Sequence, residues 1–147
     1  MIKVETLGML DVAKINPVLK ADEAVENYSF LTDNGILYLI CNTLVGDNAY
    51  KDKYTFPAGE YLNGYVVKAW EGQKLVIDEE HIAYGSGETY ASLVPGETVL
   101  IVNEAGKLAV SETTPADGVY LLVTDKTTLT GKAVKACVVV VDANATA

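Results

Sequence analysis

The stretch VIDEEHIAYGSGETY, residues 76–90, holds the one histidine of the chain, His81, beside Asp78, Glu79 and Glu80 and ahead of Gly85-Ser86-Gly87. An imidazole titrates near neutral pH and ligates metals when neutral, so a histidine among carboxylates invites an acid–base or metal reading. Each such chemistry needs more than this stretch supplies. A Ser-His-Asp apparatus needs a serine in a nucleophile elbow, and Ser86 lacks the strand-turn-helix setting of GxSxG. Zinc needs three or four His, Cys, Asp or Glu ligands, whereas one histidine and two dispersed cysteines fall short. GSGETY has neither the third glycine of GxGxxG nor the GK[ST] ending of a phosphate loop. On a strand, alternation would leave only Glu79 and His81 on one face. The stretch therefore reads as a polar surface loop with a surface histidine, and no catalytic residue, metal ligand or cofactor is expected.

The elements around it read as strands. Short runs of β-branched and aromatic residues alternate with glycine-bearing turns, the pattern of an all-β sandwich or barrel built from hairpins. Three hairpins are expected: YSFLT-DNG-ILYLI, GYVVKAW-EGQ-KLVID and TVLIV-NEAG-KLAV. Pro95-Gly96 marks a further turn, Gly118–Thr124 a strand, and Ala133–Val141 a nearly all-valine strand with both faces covered. One short helix suggests itself at Asp22–Asn27, DEAVEN, with Asp22 as its N-cap. Leu62–Ala69 and Leu129–Ala136 echo each other as LxGxxVKA, which reads either as a duplicated strand-loop-strand unit or as a common way to begin a strand.

Composition narrows the function. The 147 residues fit one domain, half of them hydrophobic, with a net charge of -9. A chain this long can bury a self-sufficient core without disulfides. Every one of the 11 basic residues is lysine. Without arginine's bidentate fork, and with an acidic surface, nucleic acid and anionic membranes are excluded as partners. No apolar run reaches the length of a membrane span, and MIKVETLGMLDVAKI carries acids where a signal peptide would be apolar, so synthesis in a cytoplasm is expected. Cys41 and Cys137 sit in apolar runs and read as buried thiols. The Asn27-Tyr28-Ser29 and Asn144-Ala145-Thr146 sequons are chance matches.

Two segments read as interaction surfaces. The loop Gly46–Gly59, GDNAYKDKYTFPAG, lacks the EF-hand spacing and offers Tyr50, Tyr54 and Phe56 as aromatic anchors. The N-terminal segment, an arm spanning residues 1–27 ahead of a β domain at 28–147, begins with Ile2 and Val4 alternating with polar residues and continues through Leu7, Leu10 and Ile15 without a single period. It is expected to extend and pair with a partner's exposed edge rather than join the core.

The order of MIKVETLGMLDVAKINPVLKADEAVENYSFLTDNGILYLI, AGEYLNGYVVKAWEGQKLVIDEEHIAYG and LVPGETV...AGKLAV resembles capsid decoration, or auxiliary head, proteins of tailed bacteriophages. The resemblance implies a β-rich structural module on the outer surface of the virion, with the major capsid protein and neighbouring copies of itself as partners. The alternative is a carbohydrate-binding or adhesion module in which Trp70 and loop tyrosines stack on sugars.

Overall fold

The computed structural model describes residues 2–4, 15–41, 54–128 and 131–142, with the backbone alone at 3, 4 and 15–18. Among the described residues there is no α-helix. Strands form instead, as the β-branched runs dictate. They are β1 (Ile2–Val4), β2 (Ile15–Lys20), β3 (Val25–Glu26), β4 (Phe30–Asp33), β5 (Ile36–Ile40), β6 (Thr55–Phe56) and β7 (Tyr61–Val66). After them come β8 (Lys74–Asp78), β9 (Ile82–Ala83), β10 (Val99–Val102), β11 (Leu108–Ser111), β12 (Gly118–Thr127) and β13 (Ala133–Val141). No helix among the described residues is long and apolar enough to cross a membrane.

A seven-stranded sheet runs β1-β8-β13-β12-β10-β11-β9, a four-stranded sheet β2-β7-β5-β4, and β3 pairs with β6 as a ribbon. The two larger sheets curl into half-barrels. One core lies between them, where Phe30 and Leu39 of the small sheet meet Leu75, Ile77, Leu121, Val134 and Val138 of the large one. A second core lies on the opposite face of the small sheet, where Leu19, Tyr38, Ile40 and Leu62 pack with Phe56 of the ribbon. Alternation accounts for the division, because Tyr38 and Ile40 point one way and Leu39 the other.

Two expected hairpins form. Asp33 pairs with Ile36 across Asn34-Gly35, whose φ values of 51° and 77° are those of a type I′ turn. β10 and β11 pair around Asn103–Gly106. The third does not form. β7 and β8 lie in different sheets, and the chain crosses between them through a 3-10 turn, Val67–Trp70, whose Val67 and Trp70 are buried in the shared core. Burial of those two side chains overrides the local turn signal at Glu71-Gly72. Gly72 N–H instead donates to the Val138 carbonyl, docking that turn on β13.

The DEAVEN helix is also corrected: Asp22 and Glu23 form a bend, and Val25 pairs with Phe56. Six residues cannot offset the cost of helix nucleation, whereas Val25 gains a place against the second core. The LxGxxVKA copies diverge, since Val67-Lys68-Ala69 turn in 3-10 form while Val134-Lys135-Ala136 extend within β13.

The described parts of the N-terminal arm are edge strands of this chain's own sheets. Ile2 pairs with Ile77 and is fully buried, and Leu19 is 2% exposed. Of the apolar side chains that suggested a partner, Ile2 and Leu19 are therefore satisfied internally, while residues 5–14 lie outside the described residues.

Gly106 ties the β10–β11 turn to the small sheet. Its carbonyl accepts the Phe30 N–H at 2.8 Å, its φ is +77°, and an added Cβ would lie 2.5 Å from the Phe30 carbonyl oxygen. Gly72 has a similar φ of +80° and open space around it. Gly72→Ala should therefore cost about 1–2 kcal/mol through backbone strain alone. Gly106→Ala should cost about 2–5 kcal/mol because overlap is added to strain. Urea denaturation of the two variants reads the difference, and equal losses would show that the Phe30 contact is unimportant.

Candidate interaction site

The surroundings of His81 are organised by a turn. The chain leaves β8 at Asp78 and makes a 3-10 turn at Glu79–His81, held by Glu79 N–H donating to the Lys132 carbonyl at 3.0 Å. Turning breaks the strand alternation that would have put Glu79 and His81 together. Glu80 instead stands 3.5 Å from His81 Nε2, and Glu79 accepts the Tyr84 hydroxyl at 3.4 Å. The His81 side chain is 11% exposed and lies 5.7 Å from the Tyr28 ring. His81 is thus a packed residue rather than the surface histidine expected.

Tyr28 joins the two sheets here. It holds a left-handed φ of 63°, its N–H donates to the Ile40 carbonyl, and its hydroxyl bonds the Cys41 thiol. Burial pushes the Cys41 thiol above its ordinary pKa, with the Tyr28 bond acting in the opposite direction. A raised pKa withholds the thiolate that nucleophilic or redox chemistry requires. Neither cysteine forms a disulfide, and both are half-buried. Nearby, Tyr65 stacks on Trp70 at 5.8 Å.

The glycine loop is closed on itself. Gly85 N–H donates to the Glu88 carboxylate, which takes the place an anionic ligand would need. Thr89 N–H donates to the Ser92 hydroxyl, starting the 3-10 turn Tyr90–Ser92. Tyr90 then donates its hydroxyl to the Ala133 carbonyl at 2.8 Å, clamping the loop onto β13. Among the described residues, no three His, Cys, Asp or Glu side chains are grouped to hold a metal ion.

The expected contact residues separate. Ile2 belongs to the shared core, and Phe56, 8% exposed, belongs to the second core, so neither is available to a partner. Tyr54 is half-buried and packs edge-on against Phe56 at 5.0 Å. Val4 pairs with Leu75 and Ile15 with Tyr65, both within this chain. Leu7, Leu10 and Tyr50 lie outside the described residues. Trp70 is fully buried, which withdraws it from the sugar-stacking role.

A different surface emerges on the outer face of the large sheet. Strand β13 is central, but among the described residues only one of its faces packs into a core. Val134, Ala136 and Val138 point into the core, while Lys135, Cys137, Val139 and Val141 are half-exposed. Register carries this face across neighbouring strands, as Cys137 aligns with Lys74 and Leu122, Leu122 with Val99, and Val139 with Tyr120. Val76, Leu122, Cys137, Val139 and Tyr120 pack into neither core. Lys74, beside Cys137, pairs with Asp125 at 3.3 Å on this same face. The all-valine run concealed this face, because a continuous apolar strand looks the same whether one or both faces are covered.

Compared with known protein families, curated proteins and solved structures, the chain matches none.

Burial, followed by the charge and hydrogen bond of Glu79, pushes the Tyr84 hydroxyl up to about 12. A group whose folded pKa is raised contributes stability that is fully present below its unfolded pKa of about 10 and lost as pH rises through the folded value. Tyr84→Phe should accordingly weaken the dependence of stability on pH between about 10 and 12. Denaturation across that range tests this, and an unchanged slope in the variant would contradict it.

Proposed function

We propose that this chain is a structural virion protein that binds the outer surface of a tailed-bacteriophage capsid as a decoration protein. Its partner in this reading is the major capsid protein, with neighbouring copies beside it on the shell, and its role is non-catalytic. The observation that carries the reading is the apolar outer face of the large sheet, where Tyr120, Leu122, Cys137 and Val139 are half-exposed and belong to neither core. Burying such a face gains roughly 25 cal/mol per Å² of apolar area. A net charge of -9 keeps the free chain soluble until it docks. The resemblance of the segment order to auxiliary head proteins points the same way, and attachment repeated over a shell tolerates a modest affinity per copy.

Protein quantification in purified particles tests the assignment: hundreds of copies per particle are expected, whereas a few copies would indicate a receptor-binding part. Leu122→Glu on the outer face should sharply lower occupancy on undecorated heads while the variant still unfolds in a single cooperative urea transition, which separates loss of contact from loss of fold. Full occupancy by that variant would remove the outer face from the contact.

A further inference from the structure

Between the tip of the β4–β5 hairpin and strands β10 and β12 lies a cleft of about 680 Å³, within the roughly 300–1,000 Å³ typical of small-molecule sites. Ile36, Leu37 and Val66 of the small sheet line one wall, and Val102 and Val119 of the large sheet line the other. Ile36 is 42% exposed, one of three large apolar side chains among the described residues so open to solvent. It directly follows the type I′ turn, where a polar residue would carry no burial cost.

Two charged side chains, Lys68 and Asp117, stand at this cleft. Asp117 is already engaged by an interaction. Lys68 belongs to the crossover turn, whose backbone is fixed by buried Val67 and Trp70 on either side. Its exposed ammonium makes no ion pair or hydrogen bond among those found for the described residues. Among the described residues, the cleft therefore pairs an apolar slot with one unmatched cation, Lys68, on a fixed backbone turn, beside an acid, Asp117, that is already engaged.

The geometry points to a binding site for a small amphiphilic anion, a medium-chain carboxylate whose alkyl chain lies between the two sheets and whose head group meets Lys68. Apolar walls bury the chain, and the lysine selects an anionic head over a cationic one. The site is separate from the outer face and does not depend on the capsid assignment.

Decanoate titrated into the full chain below its micellar concentration tests this by amide chemical shifts and calorimetry. Saturable binding is expected, with shifts at Ile36, Val102 and Val119. Lys68→Met should weaken it about five-fold, the factor for an exposed ion pair of about 1 kcal/mol. Ile36→Asp, which places a like charge in the slot, should abolish it, and decyltrimethylammonium should bind less tightly than decanoate. Both substituted side chains are exposed, so both variants should fold, and either one alone decides the outcome. Absence of saturable shifts, equal affinity in Lys68→Met, or equal binding of the cationic chain would overturn the site.

Discussion

The alternation of side chains along Ala133–Val141 is the constraint on which the rest of the molecule depends. Val134, Ala136 and Val138 enter the core, and antiparallel pairing assigns Ile77 and Leu75 of β8 and Leu121 of β12 to the same side. A slip of one residue would turn every one of these side chains to the other face. The burial they share, about 1.5–3 kcal/mol for each large aliphatic side chain, fixes the register against the ordering cost of the strands. The same alternation leaves Cys137 and Val139 outside.

The two sheets are joined by a few specific contacts. The crossover at Val67–Trp70 buries its two anchors, Gly106 receives the Phe30 N–H, and Tyr28 spans from Cys41 to His81. The potentially reactive groups in the sequence are used here as packing. The His81 ring rests against Tyr28, the Cys41 thiol is kept protonated by burial, and Glu88 closes the glycine loop. Among the described residues, the fully buried Trp70 Nε1 has no hydrogen-bond partner, so the crossover keeps its place through apolar contact and stacking on Tyr65.

Wherever local chemistry decides the conformation, the sequence was readable. Asn34-Gly35 permits the positive φ values of a two-residue hairpin, the turn at Asn103–Gly106 behaves alike, and the valine run bounds β13. Legibility ended where a distant partner decides. Nothing near Glu71-Gly72 signals that Trp70 will be buried between sheets, and nothing near Ile2 signals that Ile77 will pair with it. DEAVEN has the composition of a helix start but too few residues to propagate one. The outer face was hidden for a related reason: a strand of valines does not reveal which of its faces is covered. The cleft beside Ile36 arises from two segments far apart in sequence, and only their approach in space makes it visible.

The proposed function requires one orientation, in which the outer face of the large sheet would be seated on a capsid. Cryo-electron microscopy of intact particles measures it directly. The account predicts density for this chain on the shell exterior, with Tyr120, Leu122 and Val139 against the major capsid protein. Particles in which those residues face solvent, or which carry no density for this chain on the shell, would contradict it.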